Sequence, residues 1–410
     1  MKLPIVRPVF DKDDLDLIQK PLETGWVVQG PYVKEFEEKI AGYVGARYAV
    51  AVNSCTSGQF IMSRIVDLKP GDEVIVPSFT WISTVNSIEF LGATAVFCDI
   101  GLRSFNIDVN QIRGKITPRT KAIYPVHLFG LPAPMPEILR IAKEHNLQVV
   151  EDCACALGAR IEGAHCGSFG LAGILSFHPR KSITTGEGGM IVTNDDRTAA
   201  MAVSLRDHGA VKSDFSRHNE RGSFLLSDYA HLGYNVRMTD IQGALGVAQF
   251  KKIGWILQKK QDLAKMYNER LAEIPWLAPP EAPPGYTHGY QTYCTLFKPE
   301  EALKAVSGKD QNAIERLHEE RNEYMAHLEG VGIATRQGTH AVHVQRLYRE
   351  KYKIHAMAYP VSYAADRLSL ALPFFPTITP DEIDWLFEQL KKMRPKRASA
   401  GFFLTGRDHS

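Results

Sequence analysis

The chain has 410 residues, 44% of them hydrophobic, which is enough to bury a large core and to fill two domains. A formal net charge of +2 gives it neither the basic footprint of a nucleic-acid binder nor that of a membrane-surface protein. No apolar run approaches the length of a membrane span, and the opening MKLPIVRPVFDKDDLD lacks the apolar centre of a signal peptide, so the cytoplasm is the default expectation.

From residue 48 onward, short apolar runs alternate with helical patterns. YAVAVNS, DEVIVPS, TAVFCDI, KAIYPVHL and LQVVEDC read as strands, and TSGQFIMSRIVD, TWISTVNSIEFLG and PMPEILRIAKEHN read as the helices between them. Helices between strands imply an α/β fold with a mostly parallel sheet covered on both faces. GGMIVTND adds a strand and DRTAAMAVSLRDHG a helix, followed by one long helical region from Thr239 to about Ile274. The proline-rich stretch PWLAPPEAPPGY, residues 275–286, marks a boundary. Beyond it YQTYCTLFK reads as a strand and AIERLHEERNEYMAHLEGVG as a helix. TPDEIDWLFEQLKKM reads as a terminal helix capped by Thr379. Residues 299–312 read as a polar surface insertion. The resulting division is a large domain over 1–260, a small α+β domain over 261–395 and a tail over 396–410.

The chemistry concentrates in EDCACALGARIEGAHCGSFGLAGILSFHPRKSITTGEGGM. An aldehyde cofactor needs an amine to hold it as an imine and then to shuttle a proton, and Lys181 is the candidate. A pyridine ring withdraws electrons only while its nitrogen stays protonated. Asp152, at the carboxyl end of the strand LQVVEDC, is placed to enforce that. A phosphate needs donors, and Ser176 together with the turn Asn53-Ser54-Cys55-Thr56-Ser57-Gly58 at a helix start supplies them. Gly186, Gly188 and Gly189 let backbone pass close to the lysine. Taken singly, an Asp at a strand end is a turn former and a loop Lys is a solvated charge. Their joint order points to pyridoxal phosphate.

The succession NSCTSG, GDEVIVPSFTW, PVHLFG, EDCACALGA, SFHPRKSITTGEGG, LRDHGA and LGYNVRMTDIQGALGVAQ resembles the DegT/DnrJ/EryC1/StrS family of sugar aminotransferases. The resemblance runs from about residue 20 to about residue 260, with a weaker echo toward 395. It implies the fold of type I pyridoxal phosphate enzymes: a large domain with a mostly parallel mixed sheet, and a smaller C-terminal α+β domain. It assigns imine formation and proton transfer to Lys181, the pyridine nitrogen to Asp152, ring stacking to Trp81, and the phosphate to Thr56, Ser57 and Ser176. Trp81 alone reads equally as a core aromatic. Asn235 matches an asparagine that reaches the neighbouring subunit's phosphate, which implies a homodimer with shared sites. Arg237 is a candidate substrate contact, with a salt bridge to Asp240 as its structural alternative.

This chain departs from the family at three places. Cys155 stands where Gln or His usually contacts the cofactor near its phenolic oxygen, and a thiol is a weak hydrogen-bond partner. Cys55 replaces a common glycine in the phosphate turn, and Arg180 replaces a common Thr before the lysine. Because the lysine is retained, the resemblance implies amino transfer by a ping-pong cycle, from glutamate or glutamine to a keto-sugar. A nucleotide-diphosphate keto-deoxysugar is the commonest acceptor, with a keto-cyclitol or keto-acid sugar as alternatives. Trp26, Gln29, Arg336 and His343 are the remaining candidate substrate contacts, and the pair His340 and His343 reads equally as surface polar groups.

Two other classes compete. The six cysteines include no CxxC pair and read as reduced thiols, so a metal or thiol centre would have to use Cys153, Cys155 and His165. A noncatalytic regulator that binds the cofactor would keep the same residues.

Overall fold

The computed structural model describes residues 2–211 and 227–392, and the tail expected at 396–410 lies outside them. Seven strands form one sheet in the order Tyr48–Val52, Gly189–Thr193, Ala172–Ser176, Gln148–Asp152, Thr120–Ile123, Glu73–Pro77, Thr94–Cys98. The five from Ala172–Ser176 to Thr94–Cys98 run parallel, whereas Gly189–Thr193 is antiparallel to both its neighbours. Alternate residues feed opposite faces. Val50, Val52 and Ile191 enter one core with Ile61, Val85 and Ile88 of the covering helices. Ala51, Met190 and Val192 enter another with Val33, Phe36 and Val247. Helices therefore cover both faces, which is why the strands read as continuous apolar runs.

This topology positions two features. Gln148–Asp152 is the middle strand, so Asp152 ends at the rim where open α/β sheets bind ligands. The antiparallel strand brings Gly189 opposite both Val52 and Ser176, setting the turn after Val52 beside the Lys181 loop.

Behind that rim lies a buried knot. The Glu151 carboxylate accepts backbone N–H bonds from Gly167, Phe169 and Gly170, each at 2.8 Å, and a bond from His127 Nε2 at 3.0 Å. His127 Nδ1 accepts from the Ala133 N–H at 2.9 Å, which leaves Nε2 as the donor. Glu151→Gln replaces one acceptor oxygen by an amide that repels the facing N–H groups. The expected loss is about 3 kcal/mol in urea unfolding, and a loss under about 1 kcal/mol would contradict the knot.

A second, three-stranded antiparallel sheet, Leu277–Ala278, Tyr293–Phe297 and Ser369–Leu372, carries the C-terminal region. Leu296, Phe297 and Leu370 pack there with Ile314, Tyr324, Leu328 and Leu386 of the helices. The helix Pro380–Lys392 opens on a capping box, with Glu382 N–H bonded to Thr379 Oγ1 at 3.2 Å and Thr379 N–H to Glu382 Oε2 at 2.9 Å. The N-terminal residues join this region. Leu3 N–H donates to Gly332 O, Ala334 N–H to Leu3 O, and Phe374 N–H to Ile5 O.

Two expectations are corrected. The helical region after Thr239 is two helices, Asp240–Lys251 and Ile253–Leu271, separated at Lys252. Residues 299–312 hold the helix Pro299–Ser307, whose buried face is made of Ala302 and Ala305. Val306 packs against the same core, so the segment has an apolar face made of small side chains. Among the described residues, no helix is long and apolar enough to cross a membrane.

Candidate active site

Asp152 is 4% exposed and its carboxylate is held from three sides. Oδ2 accepts from Gln59 Nε2 and Thr84 Oγ1, both at 2.6 Å, and Oδ1 accepts from the Ala154 N–H at 3.0 Å. A carboxylate has about four acceptor directions, so this network orients the acid and still leaves one free for a ligand. Sequence reading missed both Gln59 and Thr84. Their signal was a polar residue among the buried positions of the helix Cys55–Ile65, and a threonine one turn after Trp81.

Three residues after Asp152 comes Cys155, and the lysine reaches it: Lys181 Nζ lies 3.2 Å from Cys155 Sγ. The Lys181 loop is fixed by its own backbone, with Lys181 N–H bonded to His178 O and Thr185 N–H to Phe177 O. Gln291 Nε2 donates to the Arg180 carbonyl at 2.7 Å, tying the same loop to the C-terminal region.

The turn after Val52 forms a cup. Ser54 caps the helix Cys55–Ile65 by accepting from the Ser57 N–H at 3.1 Å, and Ser57 Oγ donates to Asn53 Oδ1 at 2.7 Å. Thr56 lies exposed in the first turn, and Ser176 pairs with Gly189 across the sheet. Gly189 seals the cup's floor: a Cβ there would lie 2.5 Å from the Ser54 carbonyl carbon and 2.6 Å from the Cys55 nitrogen. A phosphate docked on this helix N-terminus would be lost with the geometry. Gly189→Ala is expected to weaken pyridoxal phosphate binding by about tenfold or more in a fluorescence titration, and unchanged affinity would remove the cup from the site.

Trp81 immediately precedes the helix Ile82–Glu89 and is 53% exposed, so it is not a core aromatic. One turn further on, Thr84 donates to Asp152. His340 lies beside Trp81, ring centroids 6.0 Å apart. His343, expected as a substrate contact, is a structural residue instead. It is fully buried, its Nδ1 accepts from Ser78 Oγ at 2.5 Å, and its Nε2 donates to Ala356 O at 2.8 Å, leaving no nitrogen for a ligand. Burial lowers its pKa, which keeps the ring neutral.

The outer candidates spread around this centre. Arg336 and Arg180 line one cleft of about 70 Å³ with Gln291 and Gly338. Arg237 pairs with Asp207 rather than with Asp240. Asp240 instead accepts from the Val33 N–H at 2.8 Å and donates its own N–H to the carbonyls of Val27 and Val28, anchoring the loop of Trp26 and Gln29. Trp26 Nε1 donates to Gln29 O at 3.0 Å within that loop. Asn235 is exposed, next to Val236, whose carbonyl accepts from the Asn53 N–H of the cup.

The thiol and metal alternative loses its histidine. His165 Nε2 accepts from the Gly158 N–H at 2.8 Å and Nδ1 donates to Cys166 O at 2.5 Å. Burial lowers its pKa to about 4. His127, Glu151 and Cys153 do bring ligand atoms within 4.8 Å of one another, but His127 and Glu151 are already committed to the knot described above.

An acid with one free acceptor direction, an amine, an exposed indole and a hydroxyl-lined helix N-terminus fit a flat, phosphate-bearing aldehyde. A sequence model of the DegT/DnrJ/EryC1/StrS aminotransferase family matches residues 8–391. The spore coat polysaccharide biosynthesis protein SpsC of Bacillus subtilis is 33% identical over 389 residues, which span 95% of this chain and 96% of that protein. PseC of Helicobacter pylori, an aminotransferase involved in the biosynthesis of pseudoaminic acid, superposes with a TM-score of 0.84 at 25% identity, covering 96% of this chain and 98% of PseC. Spr1654 of Streptococcus pneumoniae in its PLP-form gives a TM-score of 0.85 at 25% identity, covering 96% of this chain and 98% of that one. The chain belongs to the DegT/DnrJ/EryC1/StrS aminotransferase family, whose members are pyridoxal-phosphate-dependent sugar aminotransferases of fold type I.

Proposed function

We propose that this chain binds pyridoxal phosphate through Lys181 and moves an amino group from L-glutamate or L-glutamine to a keto-sugar, most readily a nucleotide-diphosphate-linked keto-deoxysugar. The observation that carries the reading is the convergence of the oriented Asp152 carboxylate and the Lys181 amine at the rim of the sheet, beside the cup. When bound, pyridoxal phosphate supplies an electron sink for the carbon losing or gaining its proton. Asp152 would keep the ring nitrogen protonated. Thr56, Ser57 and Ser176, with the helix N-terminus, would hold the phosphate, and Trp81 would pack on the ring. Lys181 would take up and release a proton at its Nζ in each half of the cycle.

Arg180, the residue before Lys181, and Arg336 line one cleft, which supports docking of the amino donor's acid group there. Trp26, Gln29 and Arg237 remain candidates for the outer part of the acceptor. The exposed Asn235 supports a homodimer in which a partner subunit completes the phosphate site. The test begins with the purified protein and pyridoxal phosphate. A visible band should form and shift on adding L-glutamate, and a panel of nucleotide keto-sugars and keto-cyclitols should then yield one aminated product by mass. A band that no amino donor shifts would leave a cofactor-binding regulator and end the aminotransferase reading.

A further inference from the structure

Arg336 lines two spaces. One is the cleft it shares with Arg180, and the other is a groove of about 910 Å³ that it shares with Lys2, Arg7 and Glu329. Two chain segments run along both. Ile5, Val6, Gln337 and Gly338 line the cleft, while Leu3, Arg7, Ile333 and Thr335 line the groove. Backbone bonds stitch these segments together, from Leu3 N–H to Gly332 O and from Ala334 N–H to Leu3 O, both at 2.9 Å. Arg336 is also pinned to the small sheet: its N–H donates to Ala371 O at 3.2 Å and its carbonyl accepts from the Ala371 N–H at 2.7 Å. Its main chain is thus fixed where the two spaces meet, and its guanidinium has no hydrogen bond or ion pair among the described residues. Charge selects the occupant. The groove is lined by three cations, Lys2, Arg7 and Arg336, against one acid, Glu329. Arg7 pairs with Glu382 at 3.0 Å yet stays 43% exposed, and Lys2 has no partner among the described residues. The described lining of the cleft contains two arginines and no acid. Arg237, the cation among the other acceptor candidates, is already paired with Asp207.

We propose that Arg336 is an anion contact shared by both substrates: it takes the amino donor's acid group in the cleft and, once the donor has left, the diphosphate of the acceptor, whose outer arm lies in the groove of Lys2 and Arg7. A ping-pong cycle never holds both substrates at once, so one guanidinium serves each in turn. Both substrates carry their anion a few bonds from the reacting carbon, which suits a cation held in the same cleft as Arg180, the neighbour of Lys181. This inference rests on the acceptor bearing a diphosphate, as proposed above, and it places that arm along Lys2 and Arg7 rather than along the loop of Trp26 and Gln29.

The test is calorimetric titration of the protein loaded with pyridoxal phosphate, using two anions that cannot react: glutarate for the donor's acid groups and inorganic pyrophosphate for the acceptor's diphosphate. Wild type should bind each, and each should raise the apparent Kd of the other in proportion to its own concentration. Arg336→Gln is expected to weaken both by about tenfold or more. A double variant, Lys2→Gln with Arg7→Gln, is expected to weaken pyrophosphate by about tenfold and to leave glutarate within about twofold of wild type. Independent, simultaneous binding of the two anions overturns the proposal, as does an Arg336→Gln variant that loses one anion and keeps the other. Pyrophosphate that wild type does not bind, or that the double variant binds as tightly as wild type, overturns it too. Arg7 also pairs with Glu382, so if the double variant fails to fold, unchanged pyrophosphate affinity in Lys2→Gln alone is the contrary result. The two readings fail separately. Failed titrations leave the aminotransferase reading intact, whereas a panel that gives product only from an acceptor without phosphate removes the diphosphate and this proposal with it.

Discussion

A Lys181→Ala variant is expected to lose the visible band of the reconstituted protein and to transfer amine at least about 10⁴-fold more slowly than wild type. Both losses come from one atom. Nζ is the group that would form the imine and the only amine in contact with Cys155 among the described residues. The fold should survive, because Lys181 is only half-buried and its loop is held by main-chain bonds that alanine keeps. Stopped-flow absorbance with L-glutamate, alongside a thermal melt, separates the effects. An unchanged melting temperature with abolished transfer supports the assignment. Retained transfer in a folded variant would move the chemistry to another residue.

The Asp152→Asn variant should be the next most damaged, and in two ways. The neutral amide cannot hold a protonated ring nitrogen, so the half-reaction should slow by about 10²- to 10⁴-fold. With its amide oxygen facing Gln59 and Thr84, its NH2 meets the Ala154 N–H donor in place of Oδ1, for an expected loss of about 1–3 kcal/mol in denaturant unfolding. Thr84→Val distinguishes the two effects, since it removes one donor and leaves the charge. It should lower stability and slow transfer far less than Asp152→Asn. If Asp152→Asn transfers amine within a fewfold of wild type, the carboxylate has no role in the chemistry.

Much of this architecture is readable in the chain, and the unread parts share a physical cause. The strand ending in Asp152 declares itself through the apolar run LQVV just before its two acids, of which Glu151 is buried against backbone N–H groups and Asp152 ends the strand. The strand Ala172–Ser176 does not. AGILS is short, begins with small residues and runs straight into the lysine loop. Nothing local reveals that Gly189–Thr193 turns against its neighbours, since strand direction follows from how the connecting loop folds back. Side-chain partners were hardest to read. Arg237 has an acid three residues away and pairs with Asp207, 30 positions distant. His343 and His340 sit in one HAVH segment, yet the local backbone buries the first and leaves the second beside Trp81. Helical spacing finds an apolar face, but it does not say which polar residue on that face meets Asp152, and so Gln59 passed unseen.

The backbone bonds that join Leu3 to Gly332 and Ala334, and Ile5 to Phe374, have a consequence for how the chain assembles. During synthesis these first residues emerge long before their partners exist, so they must wait while the large sheet, whose strands lie between residues 48 and 193, is completed. Leu3 and Ile5 therefore reach these places only after Gly332, Ala334 and Phe374 have been made. Contacts of such sequence separation are slow to form, and these ones require everything from Leu3 to Phe374 to have been made.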